Sequence, residues 1–149
     1  MDAFEIINDT LVRLVREVWQ LEERAITQDE FSDITNNDMH IIEAIGFDDY
    51  GSMSAVAKKL GITAGSLTIA INGLVNKKYV IRERAEADRR RVYIYLSEKG
   101  QRAYIHHATF HQRLTTAVLS KLHADEVPVL LKSLQSLNEF FEDCKAVKG

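Results

Sequence analysis

The sequence predicts a mainly α protein with a small β-hairpin, in which a winged helix-turn-helix domain is joined to a helical dimerisation domain. Three observations predict it. Between residues 52 and 77 two short capped helices flank a tight Gly-containing turn. Across residues 79–96 the hydrophobic period then changes from that of a helix to that of a strand. Residues 4–21 and 127–141 form amphipathic helices too apolar on one side for a winged helix to cover, so they are expected to pack against each other and against a second subunit.

In order, Phe4, Ile7, Leu11, Leu14, Val15, Val18 and Leu21 recur at spacings of three and four, the stripe of a first helix. A second fits Asn36–Ile45, with Met39, Ile41, Ile42 and Ile45 apolar and Gly46 as its stop. Ser52 or Ser54 can cap a short third helix with Val56, Ala57 and Leu60 inward, ended by Gly61. Thr63 caps a fourth, from Ala64 to about Lys77, whose inward side is Leu67, Ala70 or Ile71, and Leu74. Residues 79–84 and 92–96 alternate and are rich in β-branched and aromatic side chains, so they pair as a hairpin around the polar loop 85–91. Ser97 caps a long helix to about Leu122, and a last helix starts near Asp125 with Pro128 in its first turn. The expected division is 1–34 and 97–149 for dimerisation and 35–96 for DNA binding.

The net charge of −3 conceals a gradient, because residues 1–51 carry −10, residues 52–91 carry +6 and residues 92–149 carry +1. Phosphate binding depends on the local field of one face, and the middle segment supplies it. Removing the inward positions of the fourth helix leaves Ala64, Gly65, Ser66, Thr68, Ile69 and Asn72 outward, behind the Thr63 cap. Small residues at its start let a helix enter the major groove closely. Ser66, Thr68 and Asn72 offer hydrogen bonds, and Ile69 an apolar contact for a thymine methyl. In the hairpin, Arg84, Arg89, Arg90 and Arg91 form the basic tip, with Arg90 suited to a narrow minor groove. Asp88, two residues before Arg90, is expected to hold its guanidinium by a bidentate pair.

The stretch "DRRRVYIYLSEKG", residues 88–100, resembles the wing-to-helix signature of MarR-type regulators: Asp-x-Arg, an alternating strand, then Leu-Ser-x-x-Gly. The resemblance covers essentially the whole chain. Within the family it is nearest the fatty-acid-synthesis repressors, through Met39-His40 with Ile45-Gly46, "AGSLTIAINGL", "IRERAEADRR", Phe110-His111 and the ending "NEFFEDCK". The resemblance implies a cytoplasmic homodimer on palindromic double-stranded DNA, with wings in the flanking minor grooves. It further implies a long-chain acyl group on acyl carrier protein as corepressor, for which Lys58, Lys59, Lys77 and Lys78 are candidate contacts alongside DNA. One position departs from the family, which usually has Gly where this chain has Lys78. A lysine there must adopt the left-handed conformation at a cost of about 1 kcal/mol or alter the turn.

The rival reading is a zinc-responsive regulator of the same fold. His107 and His111 share a helix face at i and i+4, and His40 with Glu22 or Glu23 can converge from other helices. His106 lies on the same helix. No cofactor is expected otherwise. The single cysteine, Cys144, excludes an internal disulfide, fits a reducing compartment and has no neighbour that marks an activated thiol. The acidic N-terminus does not read as a signal peptide, and no run approaches the ~18 apolar residues of a membrane span. A phosphate loop, a metalloprotease helix and a nucleophile elbow are all lacking, which disfavours an enzyme.

Overall fold

A computed structural model describes residues 1–27 and 30–147. In chain order its elements are α1 (Ala3–Thr27), α2 (Asn36–Ile45), β1 (Gly51–Ser52), α3 (Met53–Leu60), α4 (Ala64–Asn76), β2 (Val80–Arg84), β3 (Val92–Leu96), α5 (Glu98–Leu119) and α6 (Val127–Ala146). Two compact units divide the chain, Met1–Phe110 and His111–Gly149.

In the first unit the helix boundaries follow local chemistry. At the start of α2, Thr35 Oγ1 accepts from the Asp38 N–H at 3.1 Å and Asp38 Oδ2 accepts from the Thr35 N–H at 3.1 Å, a reciprocal capping box. Gly46, at φ +88°, ends the helix. Of the two serines available to cap α3, Ser52 does so, accepting from the Ala55 N–H at 3.2 Å. Gly61, at φ +68°, closes α3 in the left-handed conformation. Thr63 caps α4 by accepting from the Ser66 N–H at 3.1 Å. The inward position left open between Ala70 and Ile71 belongs to Ile71, which is fully buried with Leu67 and Leu74.

The hairpin pairs Val80 with Leu96, Arg82 with Ile94 and Arg84 with Val92 on one face. Val80, Ile94 and Leu96 are buried there, while Arg82 and Arg84 continue the same face out beyond the core. The sequence did not foretell β1, a two-residue strand that pairs with β3 and gives the order β1-β3-β2. Ser52 both ends this strand and caps α3, so its cap signal hid the pairing. The core gathers Met39 and Ile42 of α2, Val56 and Ala57 of α3, the inner side of α4, Ile94 and Ala103. Ile26, Phe31 and Ile34 close it at the end of α1 and in the segment that follows.

One junction ties α4, β2 and α5 together. Lys78 takes the left-handed conformation at φ +68°, the first of the two options open to it, and the Tyr79 N–H donates to Leu74 O at 2.9 Å. Ser97 Oγ lies 2.6 Å from Lys78 O and 3.1 Å from Tyr79 O, to which it donates, and it accepts from the Gly100 N–H at 3.1 Å. The Ser97 N–H adds a bond to Tyr79 O at 3.0 Å. A Cβ on Gly100 would stand 2.1 Å from Tyr79 O, so only glycine allows α5 to start this close to the strand. The Leu-Ser-x-x-Gly stretch is thus a packing device.

The Tyr79 ring is fully buried, and its hydroxyl donates to Asp33 Oδ1 at 2.5 Å. Burial, then the Asp33 carboxylate, pushes the phenol well above its ordinary value, so it stays a donor. The same bond is the main cause holding the Asp33 carboxyl below the usual carboxylate range. Lys99 Nζ sits 4.3 Å over the ring centroid and 3.6 Å from Asp33 Oδ2.

In the second unit, α6 starts after Glu126, with Pro128 in the first turn, and none of its residues is buried. Val129, Leu131, Leu134, Phe140 and Phe141 are exposed, as are Phe4, Ile7, Leu11, Val15 and Trp19 on α1 of the first unit.

Gly100→Ala is expected to lower the unfolding free energy by about 2–4 kcal/mol, since backbone rather than a flexible side chain must give way. Urea denaturation beside a neighbouring exposed substitution such as Glu98→Ala checks it.

Candidate nucleic-acid interface

Helix α4 presents Thr63, Ala64, Gly65, Ser66, Thr68, Ile69 and Asn72 to solvent, and all are exposed. The outward face expected from the sequence is therefore present as a face. Ile69 is 76% exposed, a large apolar side chain with no intrachain reason to stand there. Beyond its own helix backbone, a Cβ on Gly65 would meet no atom of the described residues within 4 Å, so its bareness serves no packing among them. Local bonds decide what the polar groups can offer. Thr68 Oγ1 donates to Ala64 O at 2.8 Å, which leaves its lone pairs and methyl outward. Thr63 Oγ1 donates to Ser66 Oγ at 2.9 Å, which leaves the Ser66 proton available.

The loop joining β2 to β3 is a closed turn. The Arg91 N–H donates to Asp88 O at 3.0 Å and the Ala85 N–H to Arg91 O at 3.0 Å, so Arg89 and Arg90 occupy the tip. Asp88 does not make the expected bidentate pair with the Arg90 guanidinium. Its Oδ1 accepts from the Arg90 backbone N–H at 3.0 Å, the habit of an aspartate that caps the chain two residues on. The acid shapes the turn that carries the arginines. Arg84, Arg89, Arg90 and Arg91 are exposed, and among the described residues none is held in an ion pair.

Two hollows connect these pieces within the first unit. Arg90 and Arg91 share one with Ser52, Ser54, Ala64 and Tyr93, which brings the wing up to the starts of α3 and α4. The other is lined by Met53, Thr68, Asn72, Arg82, Arg84 and Val92. Arg82 was not among the residues expected at the site, yet its Nη1 donates to Asn72 Oδ1 at 2.6 Å. The signal for it lay in the alternation, since Arg82 and Arg84 two residues apart share a strand face. On the opposite face Tyr95 donates to Glu83 Oε1 at 2.6 Å, and that bond is the main cause raising its phenol to about 12. Tyr50 packs on Tyr95 with ring centroids 4.6 Å apart. The lysines named for DNA or an acidic carrier differ in setting. Lys58, Lys77 and Lys78 are exposed, whereas Lys59 Nζ donates to Ala44 O at 3.3 Å.

The histidine group lies elsewhere in the first unit. Glu22, 5% exposed, accepts from Asn36 Nδ2 at 3.1 Å, and its Oε2 lies 3.3 Å from His40 Nε2. The His40 and His107 rings stand edge to face at 5.4 Å, and His107 Nε2 is 3.1 Å from Glu43 Oε2. Glu22, rather than the exposed Glu23, is thus the acid that meets His40. His111 is the first residue of the second unit. Cys144 is exposed on α6.

Known proteins share this architecture. The MarR family model matches residues 32–91. The chain is similar to Streptococcus pneumoniae FabT, whose crystal structure is of a complex with DNA, at 33% identity and a TM-score of 0.88, covering 95% of this chain and 99% of that one. A DNA complex of S. aureus MepR has the same fold at 21% identity and a TM-score of 0.71, covering 90% of this chain and 97% of that one. The HTH-type transcriptional regulator PchR of Bacillus subtilis (strain 168) is 22% identical over 150 residues, 93% of this chain and 89% of its own. Capped helix pair, wing and whole-chain similarity agree: the chain belongs to the MarR family of winged-helix, DNA-binding transcriptional regulators.

Proposed function

We propose that the chain is a homodimeric repressor of fatty-acid-synthesis genes that uses long-chain acyl-acyl carrier protein as corepressor. Each protomer would place α4 in a major groove of a palindromic operator and the tip at Arg89 and Arg90 in the flanking minor groove. The observation that carries this reading is an exposed α4 face beside an arginine turn whose side chains have no acidic partner among the described residues. Segments 1–34 and 97–149 would supply the dimer interface, for which the exposed apolar residues of α1 and α6 are suited. The corepressor reading rests on the 33% identity to FabT and on the chain's motif resemblance to fatty-acid-synthesis repressors.

A second reading, zinc control of the same regulator, is favoured by the convergence of Glu22, His40 and His107 from α1, α2 and α5. Zinc arms of about 2.0–2.1 Å in tetrahedral array place neighbouring ligand atoms roughly 3.4 Å apart, a spacing the Glu22–His40 pair fits. Stoichiometric zinc in protein purified without chelator, lost in His107→Ala, would establish it. Metal-free protein that binds its operator regardless of added zinc would dismiss it.

Arg90→Ala is expected to weaken operator binding and to reduce the slope of log affinity against log salt by about 1. Titration of labelled palindromic DNA across a salt series measures both, and an unchanged slope would remove Arg90 from the contacts. Selection of genomic fragments with and without acylated carrier is expected to recover fatty-acid-synthesis promoters, more strongly with the acyl form. Recovery of other promoters, or indifference to the carrier, would refute the corepressor assignment while leaving DNA binding in place.

A further inference from the structure

Asn72 stands in the middle of the outward face of α4, and what it can recognise depends on which end of its amide faces out. Arginine has only donors, so the Asn72 atom that Arg82 Nη1 meets at 2.6 Å must be the carbonyl oxygen. That assignment has a consequence for base reading. An asparagine recognises adenine in the major groove by two simultaneous bonds, its oxygen accepting from N6 and its amide donating to N7. With Oδ1 turned to strand β2, an adenine amino group would have to use the second lone pair of the same oxygen, beside the guanidinium, which brings one donor up to another. The Nδ2 hydrogens remain available, and they suit an acceptor.

The surroundings agree with this polarity. Asn72 and Arg82 line a groove with Thr68, Arg84, Met53 and Val92. Thr68, one turn earlier, has committed its proton to Ala64 O, so it offers lone pairs and a methyl. Arg84 follows Arg82 on the same strand face, and neither Arg84 nor Arg82 is in an ion pair among the described residues. The groove therefore combines one amide donor with the positive charges of Arg82 and Arg84.

We propose that Arg82 is a specificity-determining positioning residue. It locks Asn72 as a donor, so that the operator position beneath Asn72 favours guanine or thymine, whose hydrogen-bonding edges carry acceptors alone, over adenine, whose N7 acceptor stands beside the N6 donor. The proposal rests on the α4 face being the surface that reads DNA. Arg82 acts through Asn72, and its effect is on which base is preferred in the major groove, whereas Arg89 and Arg90 would act in the flanking minor groove.

The test is selection of operators from random DNA, followed by a series of operators substituted one base at a time. The series is measured with the parent, Arg82→Met, Arg82→Lys and Arg82→Met in an Asn72→Ala background. Met keeps the stem and removes the donors, so Asn72 is free to turn. Arg82→Met is expected to gain about tenfold in its relative preference for adenine at one position of each half-site. Arg82→Lys, which retains a donor, is expected to keep the parental preference, and the Asn72→Ala background is expected to abolish the shift. A uniform loss of affinity in Arg82→Met, with the same base preferred everywhere, would overturn the proposal and make Arg82 a phosphate contact. If the parent selects no DNA at all, the reading of α4 as the DNA surface falls first, and the proposal falls with it. Circular dichroism of each variant guards the comparison, and the exposed positions of both residues make misfolding a distinguishable result.

Discussion

The start of α5 is pressed against the backbone of the turn that leaves α4. Ser97 and the Gly100 N–H close a small hydrogen-bonded knot with the carbonyls of Lys78 and Tyr79, at a distance where no side chain on residue 100 fits. Three functional parts meet at that point: the end of α4, the root of the hairpin and the helix that leads out of the winged domain. A reorientation of α5 must either carry the hairpin root with it or break the knot. Lys78 sits in the left-handed conformation at the same place, a cost of about 1 kcal/mol in local strain. The bonds around it hold that conformation, which explains how a turn usually built on glycine keeps its geometry here.

Around this knot the charges are sorted. The first 51 residues carry −10 and the next forty carry +6, so an average near neutrality describes no actual face of the molecule. The basic excess stands at exposed positions, at the wing tip, along the outer half of β2 and at Lys58, Lys77 and Lys78. The acidic side chains do different work. Asp33 takes the Tyr79 hydroxyl, Asp38 and Asp88 bond to backbone N–H groups, and Glu22 and Glu43 engage histidines. Acids spent on internal bonding are acids withheld from the arginines.

What was legible in the sequence was what nearby residues decide. The caps Ser52, Thr63 and Ser97 and the glycines 46 and 61 mark helix ends because each acts on backbone within a few positions. The outward face of α4 followed from its period. Strand β1 was hidden because two residues carry no period at all, and α1 runs past its apolar stripe because Glu22 and Ile26 are held by distant partners. The Asp88 contact was misassigned because a side chain that can reach either a guanidinium or the chain beside it gives one spacing for two outcomes. The alternation put Arg82 on the face of Arg84, but its bond to Asn72, ten positions away, and the Glu43–His107 contact, across 64, are pairings that no local pattern displays.

The turn at Asp88 also bears on time. A loop of this kind ordinarily wanders among many shapes, and each encounter with a partner must then wait for, and hold, the right one. Here the carboxylate bond to the Arg90 N–H and the closure from Ala85 to Arg91 narrow that search before any encounter. Less freedom is left to be lost on docking, which favours ready capture and long residence alike. The acid beside the arginines thereby acts on the lifetime of a complex whose charge it formally opposes.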